Sequence, residues 1–345
     1  MNMETIFKKE DFSLCEVPVP SGYPQSQTHC GIGILGNNFL MTTSPYPIIK
    51  YNKWINYFRV AVRKLTRGQF FKLVIGERYE NPCIYVGDNS SGNPPIKFDL
   101  AQSAPLMGPL DPLYGYPSFN SDPDLYIEGD IVYVLNRSIY RMSDKQADYY
   151  MRLFLIEGKV ENKRFIHYST SLFREGKDIV GSQCMVKYRG QYILTDVMTN
   201  SYNDGITFNG IRLLKEDSMA ALKTSTNWVH VDVEHGNLLP WHMSLLMYKD
   251  TLYTIIACVR KGEKERCWQM LGRFSDDLTS LKIYNTPLTD YSSYRGAACV
   301  TSEGVFVLYN TIVYETIKGS ASVDGRDVIM AKMPINLLLD RLGVQ

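Results

Sequence analysis

Four polar residues recur along the chain at nearly equal intervals. Asp122, Ser182, His242 and Arg295 are separated by 60, 60 and 53 residues, and each lies just before an apolar run. Residues at the same point of successive repeats meet in space when the repeats form a circular array. Carboxylate, hydroxyl, imidazole and guanidinium groups around one pocket could move protons and hydrogen-bond a polar ligand. The spacing therefore predicts a composite site built from distant segments.

The elements that would position these residues are five copies of a hairpin-like unit. Each copy is a short apolar run, a turn of two or three residues, and a second apolar run rich in Tyr, Val, Leu and Ile. From turn to turn, the last four copies are 61, 60 and 54 residues apart, whereas the first step is 91. A period of this length built on hairpins indicates a propeller or a similar array. The predicted turns are Asn37-Asn38, Glu128-Gly129-Asp130, Arg189-Gly190, Lys249-Asp250 and Glu303-Gly304.

Further strand-like runs follow the hairpins, so that each repeat is typical of one four-stranded propeller blade. We therefore predict an all-β fold, a single five-bladed β-propeller over residues 28–345, preceded by an N-terminal lead-in segment over residues 1–27. Residues 54–76 fit neither the helical nor the strand period well, and we interpret them as an insertion followed by an outer strand. The last eleven residues predict a short helix.

Composition excludes several classes of partner. The chain of 345 residues has 37 basic and 36 acidic residues and a net charge of +1, which favours neither nucleic acid nor an anionic membrane. No stretch approaches about 20 uncharged apolar residues, the length that spans a bilayer. The seven Cys are scattered and odd in number, which predicts reduced thiols. Since the start has no apolar signal-like stretch, we expect a cytoplasmic protein or, alternatively, a phage virion protein.

No cofactor or metal is expected from local patterns. The chain contains no CxxC pair, which a zinc site would often require. Asp232, Glu234 and His235 lie close together, but VHVDVEH alternates as a strand with a polar outer face does. The 24 Tyr suit strands, and they also suit sugar surfaces, because a ring stacks on a sugar face while its hydroxyl hydrogen-bonds.

Three stretches resemble a known group of propellers. Glu80-Asn81-Pro82, followed by IYVGDNSSGNPP, is similar to a recurrent blade pattern of that group, and LGRFSDDLTSLKIYNTPL at 271–288 is similar to its outer half-blade. Trp241-His242 and Tyr294-Arg295 resemble inner-strand openings in bacterial and phage members. The group is that of the five-bladed β-propeller glycoside hydrolases, namely arabinanases, fructosidases and mannoside phosphorylases. The resemblance covers roughly residues 28–335.

In a propeller, residues at the starts of the inner strands converge on one mouth of the central channel. Converging polar groups with an aromatic ring would suit a sugar, which offers many hydroxyls and an apolar ring face. A pocket arginine would suit a carboxylate or phosphate on the ligand. The candidate substrate-binding residues are His29, Asn81, Gln183, Trp241, His242, Tyr294 and Arg295.

Glycoside hydrolysis normally needs two carboxyl groups. The resemblance implies an Asp base on the first blade, an Asp on the second and a Glu acid on the third. Asp122 or Asp124 matches the second position, but His29-Cys30 stands at the first and Ser182-Gln183 at the third. Two of the three carboxylates are therefore absent. Glu80 and Glu234 are the nearest substitutes.

Two functions follow from these residues. In the first, the protein is a glycosidase-like enzyme with Asp122, Glu80 and Asp124 as catalytic candidates, while His242 and Arg295 position the substrate. In the second, it is a non-catalytic glycan-binding module for phage receptor binding or cell-surface recognition. The partner is a carbohydrate in both cases. The absent carboxylates favour the second function, and loss of turnover in an Asp122→Asn variant would favour the first.

Overall fold

The computed structural model describes residues 4–23, 26–46, 49–89, 93–102, 106–110, 116–143, 149–177, 181–202, 205–261, 267–289, 295–313, 321–324 and 326–344. Nearly all of its regular structure is β-strand. The first part of the chain contains β1 (Ser13–Leu14), β2 (Ser26–Leu35), β3 (Asn38–Tyr46), β4 (Ile49–Asn52), α1 (Lys53–Tyr57), α2 (Arg67–Ile75), β5 (Cys83–Asp88) and β6 (Asp99–Leu100).

Long strands dominate the middle of the chain. The strands there are β7 (Phe119–Glu128), β8 (Ile131–Arg141), β9 (Tyr149–Glu161), β10 (Arg164–Gly176), β11 (Gln183–Tyr188), β12 (Gln191–Tyr202), β13 (Gly205–Glu216) and β14 (Val229–Glu234), and the short helix α3 (Met219–Thr224) lies between the last two. The final part contains β15 (Leu238–Tyr248), β16 (Thr251–Arg260), β17 (Cys267–Phe274), β18 (Ser280–Ile283), β19 (Ala297–Val300), β20 (Val305–Val313), β21 (Ala321–Asp324), β22 (Arg326–Pro334) and α4 (Ile335–Arg341).

The strands form antiparallel sheets of mostly sequential neighbours. One sheet has the order β2-β3-β5-β6, a second β7-β8-β9-β10, and a third β19-β20-β22-β1. An eight-stranded sheet consists of two antiparallel halves, β11-β12-β13-β14 and β15-β16-β17-β18, joined edge to edge by the parallel pairing of β14 with β18. The strands β4 and β21 pair separately.

The leading strands of these units lie side by side in a closed cycle. β2 contacts β7, β7 contacts β11, β11 contacts β15, β15 contacts β19, and β19 contacts β2. Apolar clusters fill the spaces between neighbouring sheets. The leading strands themselves carry many buried polar residues, so the polar interior lies where they meet and not between the sheets.

Turn chemistry explains the hairpins. Arg189 and Gly190 both have positive φ, at 49° and 85°, as a two-residue hairpin turn requires. The predicted turns at 189–190 and 249–250 are confirmed. The turn predicted at 128–130 lies within one residue of the observed turn, and the one predicted at 303–304 lies inside a longer loop. The first turn lies at Gly36-Asn37, one residue earlier than predicted, because Gly36 adopts the left-handed conformation at φ 57°.

The predicted outer strand within 54–76 is wrong. This stretch forms α1, a π-helical turn over Phe58–Val62 and α2. Thr66 caps α2: its hydroxyl accepts from the Gln69 backbone N–H at 3.3 Å, and the Gln69 side chain accepts from the Thr66 N–H at 3.0 Å. This reciprocal capping satisfies backbone groups at the helix start, which hydrophobic periodicity does not register. The predicted C-terminal helix is confirmed as α4.

The first residues of the chain join the last sheet. β1 pairs with β22, and Phe7 forms an isolated parallel bridge with Thr289. The Phe7 side chain is buried between the rings of Phe12 and Phe306, with centroids at 5.8 and 6.4 Å. The predicted lead-in segment thus supplies an edge strand and part of the core, and it links the two ends of the chain.

All seven cysteines are buried and unpaired by disulfides, as the sequence predicted. Among the described residues, no helix combines the length and hydrophobicity needed to cross a membrane.

A substitution of Phe7 tests how much the packing of the N-terminal segment on the last sheet contributes to stability. Phe7→Ala should lower the free energy of unfolding by about 3–5 kcal/mol, because it removes a fully packed ring from the core. Urea denaturation followed by circular dichroism measures this. Leu14→Ala is the control, since Leu14 is 63% exposed and its loss should change stability by no more than about 0.5 kcal/mol. Equal effects of the two substitutions would contradict the anchoring role of Phe7.

Candidate functional site

Three leading strands are irregular at the residues that the sequence singled out. The pairing of β2 with β3 shifts between Thr28 and Gly31, that of β7 with β8 between Ser121 and Asp124, and that of β15 with β16 between Pro240 and His242. Such bulges turn a side chain out of the alternating pattern and are common beside active sites. The bulges therefore aim side chains from three separate sheets into the region where the leading strands meet.

The backbone at this point is held in a sparsely populated conformation. His29 has φ 56°, Asp122 has φ 51°, and Glu80, which lies three residues before the start of β5 at Cys83, has φ 47°. A left-handed conformation at a residue other than glycine costs on the order of 1–3 kcal/mol. The surrounding sheets must supply that energy, and residues of this kind concentrate at functional sites.

The bulges bring His29, Asp122 and His242 together. Nδ1 of His29 lies 2.8 Å from Oδ1 of Asp122, and Nδ1 of His242 lies 3.6 Å from the same oxygen. The two imidazole rings are 5.3 Å apart and nearly perpendicular. All three side chains are buried. The predicted convergence of Asp122 and His242, which are 120 residues apart in sequence, is therefore confirmed.

Arg137 completes the surroundings of Asp122. Its Nη2 contacts Oδ2 of Asp122 and donates to Oγ of Ser121 at 3.2 Å, and its Nη1 donates to the Gly181 carbonyl at 2.7 Å. Arg137 is not among the residues predicted from the sequence. Its signal is a lone arginine in the apolar run IVYVLNRSI of β8, where it pairs directly with Ser121 across the hairpin.

The charges around Asp122 set its ionisation. Burial alone would raise the pKa of this carboxyl, but Arg137 and the imidazoles of His29 and His242 outweigh it and hold the pKa well below its usual range. A carboxylate with a depressed pKa stays ionised at neutral pH. Asp122 can therefore hold positive charge or accept a hydrogen bond, but it has no proton to donate as a catalytic acid.

His242 is kept neutral by its environment. Burial lowers its pKa well below the ordinary value, although Asp122 acts in the opposite direction. The Trp241 ring stacks on the imidazole with centroids 5.0 Å apart and planes at 22°. Trp241 is partly exposed.

Glu80 lies on the other side of His29. Its Oε2 is 3.7 Å from Nε2 of His29, while Asp122 faces Nδ1 of the same ring. The two carboxylates that the sequence proposed as a pair therefore flank one imidazole. Glu234, the other substitute considered, lies in β14, where it pairs with Lys282 of β18.

Asp124 and Arg295 form a second buried network. Nη2 of Arg295 donates to Oδ1 of Asp124 at 2.9 Å, and its Nη1 donates to the Pro123 carbonyl at 2.8 Å. The Met185 N–H donates to Oδ2 of Asp124 at 3.1 Å. Both oxygens of Asp124 are thus bonded to groups that join β7 to β11 and to the segment before β19. The Asp124 carboxylate therefore contributes to strand packing, and its catalytic role stays a prediction.

The remaining predicted residues differ in what they contact. The side chain of Arg295 is 0% exposed. The contact with a ligand that was predicted for it stays a prediction. The Asn81 amide brackets the Met107 backbone, donating to its carbonyl at 2.9 Å and accepting from its N–H at 3.0 Å. Ser182 donates to the Met243 carbonyl at 3.5 Å. Tyr294 lies outside the described residues.

Gln183 faces the carboxylate of Asp196, which is not among the residues predicted from the sequence. Its amide Nε2 donates to Oδ1 of Asp196 at 3.2 Å, directly across the β11–β12 hairpin. Asp196 also accepts from the Gly181 N–H at 2.9 Å and from Nε and Nη2 of Arg212 at 3.0 and 2.7 Å. Gly181 thus links Asp196 to Arg137, and Arg137 in turn contacts Asp122. The signal in the sequence is a lone Asp in the apolar run QYILTDVM.

Solved structures with a similar fold are carbohydrate-active enzymes. An N-acetylgalactosamine deacetylase from F. plautii, solved with blood group B trisaccharide, is 16% identical with a TM-score of 0.60 over 99% of this chain and 98% of that one. A xylan β-1,4-xylosidase from Bacillus halodurans C-125 is 14% identical with a TM-score of 0.63 over 92% of this chain. A family 117 glycoside hydrolase from Zobellia galactanivorans is 11% identical with a TM-score of 0.57, covering 94% of this chain and 90% of that one.

These similarities define the fold. This chain is a β-propeller of the architecture found in glycoside hydrolases. It spans about half of the xylosidase, of which 54% is covered. No protein-family model matches the sequence. No curated protein matches it either.

The buried pair of Arg137 and Asp122 should be essential for stability. Arg137→Met should lower the free energy of unfolding by about 3–5 kcal/mol, because it leaves a buried carboxylate without its cation. Arg152→Met is the matched control: Arg152 bonds Glu175 at 2.8 Å, but both side chains are about a third exposed, so the loss should stay below about 1 kcal/mol. Denaturation curves that place the two variants within error of each other would refute the assignment.

Proposed function

We propose that this protein is a five-bladed β-propeller that binds a carbohydrate at the meeting point of its leading strands and hydrolyses it. The support for five blades is the closed cycle of β2, β7, β11, β15 and β19, each leading four strands of one sheet or half-sheet. On this reading the eight-stranded sheet is two blades joined at their outer edges by β14 and β18. The short sequence patterns quoted above favour the arabinanase, fructosidase and mannoside-phosphorylase group.

The observation that carries the proposal is the cluster of His29, Glu80, Asp122 and His242. The four residues come from separate segments, and three of them adopt the costly left-handed conformation. Packing alone does not require buried imidazoles beside two buried carboxylates, and groups with shifted pKa values, as Asp122 and His242 have, concentrate at catalytic sites. Trp241, stacked on His242 and partly exposed, adds an aromatic face of the kind on which sugars stack.

The named neighbours support the substrate class. The xylosidase and the family 117 enzyme are glycoside hydrolases, and the third protein deacetylates an amino sugar. Both reactions are hydrolyses, in which the water oxygen bonds to the attacked carbon, the bond to the leaving group breaks, and a proton passes to that group. Here the ionised Asp122 is available to orient the water, and the neighbouring Glu80 is the carboxylate available to deprotonate it.

Removal of the Asp122 charge tests catalysis. The protein should release a reducing sugar or acetate from some member of a panel of oligosaccharides and N-acetylated sugars. Asp122→Asn should then lower kcat by about 10²–10⁴-fold, because the amide keeps the shape but not the charge or basicity. Asp130→Asn, in an exposed hairpin turn, is the control and should keep full turnover. Robust turnover in a doubly substituted Asp122→Asn, Glu80→Gln variant would place the active site elsewhere.

A non-catalytic glycan-binding module is the second candidate. The observation in its favour is Gln183, which stands where the resemblance implies a catalytic acid and which binds Asp196 instead. Under this alternative no glycan is turned over, and the partly exposed Trp241 provides the contact surface.

Trp241→Ala separates binding from packing. It should weaken glycan binding by about 5–150-fold, the equivalent of roughly 1–3 kcal/mol for a lost aromatic stack of the kind measured for ring stacking in binding sites. Titration calorimetry with a glycan selected from an array measures the effect. Trp228→Ala is the control, since Trp228 packs beneath Arg174 and Arg212 near α3, away from the cluster. Unchanged affinity in Trp241→Ala would exclude this surface.

A further inference from the structure

The two imidazoles and the carboxylate at the centre of the site form a set of metal-ligand type. Each of His29, Asp122 and His242 offers one ligand atom, and these atoms lie within 4.8 Å of one another. Within the described part of the chain, these are the three His, Cys, Asp or Glu side chains that lie close enough together to share one ion. All three side chains are buried, and each comes from a different sheet or half-sheet.

We propose that His29, Asp122 and His242 bind a divalent transition metal ion, with Zn²⁺ as the preferred ion. Two neutral nitrogens and one carboxylate oxygen are the protein ligands of many catalytic zinc sites, where the fourth position holds water or substrate. This inference rests on the proposed function, because it names the cofactor of that same site. The remaining coordination position would hold the water that attacks the substrate.

The distances among the three residues lie near those that a bound zinc ion requires. Zinc bonds of about 2.0–2.2 Å place the ligands of a tetrahedron roughly 3.4 Å apart. His29 and Asp122 are at 2.8 Å, and His242 and Asp122 at 3.6 Å. The ion would take the place of the contact between His29 and Asp122, which would open by roughly half an ångström. Since all ligand atoms lie within 4.8 Å of one another, no pair would need to close by more than about 1.4 Å, within the reach of side-chain rotation.

The neighbours of the three residues occupy the positions of supporting groups. Metal-binding histidines usually donate their second ring N–H to a carboxylate, which fixes the ring and its tautomer. Glu80 stands at Nε2 of His29 while Nδ1 faces Asp122, so Glu80 is a positioning residue for this ligand. Arg137 contacts Oδ2 of Asp122 and leaves Oδ1 directed at both imidazoles.

Local sequence patterns could not reveal this site. The expectation that no metal binds rested on the missing CxxC pair and on the alternation through Asp232, Glu234 and His235. Neither observation concerns ligands that are 93 and 120 residues apart in the chain. Only the bulged leading strands bring these residues together.

Metal content and affinity, measured without substrate, test the proposal. Protein stripped with EDTA, reloaded with Zn²⁺ and desalted should contain about one zinc per chain, in keeping with a single three-ligand site. Titration calorimetry should show affinity at least about 100-fold weaker in His242→Ala, which removes a ligand outright. Glu80→Gln should bind with full stoichiometry but about 10–100-fold more weakly, as expected for a supporting group. His230→Ala, at an exposed position of β14, is the matched control and should bind like the wild type.

The results separate this proposal from the proposed function. Absence of stoichiometric zinc in the wild type, or equal zinc binding by the wild type and His242→Ala, overturns the metal site. If His242→Ala does not fold, wild-type stoichiometry and the affinity of Glu80→Gln decide. Stoichiometric zinc without any carbohydrate turnover would support the metal site and contradict the hydrolase. Turnover that persists in fully stripped protein would support the hydrolase and overturn the role of a metal-bound water in it, while zinc stoichiometry still decides whether the metal site exists.

Discussion

The buried negative charge of Asp122 is the constraint on which the centre of this protein depends. An isolated carboxylate away from water is so costly that it would normally take up a proton. Here the guanidinium of Arg137 and two imidazoles surround it and keep it ionised. Arg137 comes from β8 of the same hairpin, whereas the imidazoles come from β2 and β15, so the full set of partners assembles only when distant parts of the chain have met. The site and the ring of strands therefore stabilise one another.

The ring is held by polar contacts as well as by apolar packing. Arg295, fully buried, joins Pro123 and Asp124 of β7 to the segment that precedes β19. Arg137 reaches the Gly181 carbonyl, and Gly181 in turn donates to Asp196. Buried networks of this kind are favourable only when nearly every member has its partner. They fix the relative positions of neighbouring sheets more tightly than interchangeable apolar contacts would.

The backbone at the site is held in a strained conformation. His29, Glu80 and Asp122 are held with positive φ, although none is glycine. The sheets on either side supply the energy, and the bulges point His29 and Asp122 toward one another. A site that is arranged before the ligand arrives needs little reorganisation when it binds, which favours both catalysis and selective recognition.

The sequence by itself determined the local structure. Turn residues such as Arg189-Gly190 and Lys249-Asp250, and the alternation on either side of them, specify hairpins because they act over a few residues. The period between turns then predicted the array of sheets and the meeting of Asp122 with His242. The helices at 53–75 were not predicted, because their evidence is a capping interaction between Thr66 and Gln69 and not hydrophobic periodicity.

Only the tertiary structure decided the role of each polar residue. Asp122 and Asp124 are two positions apart and look equivalent in the sequence, yet one faces two imidazoles and the other is bonded to Arg295 and Met185. Arg137 and Asp196 gave no signal beyond a single charge in an apolar strand. The physical reason is that ionisation, burial and ligand geometry depend on groups brought from 60 to 170 residues away, and those contacts exist only after the ring has closed.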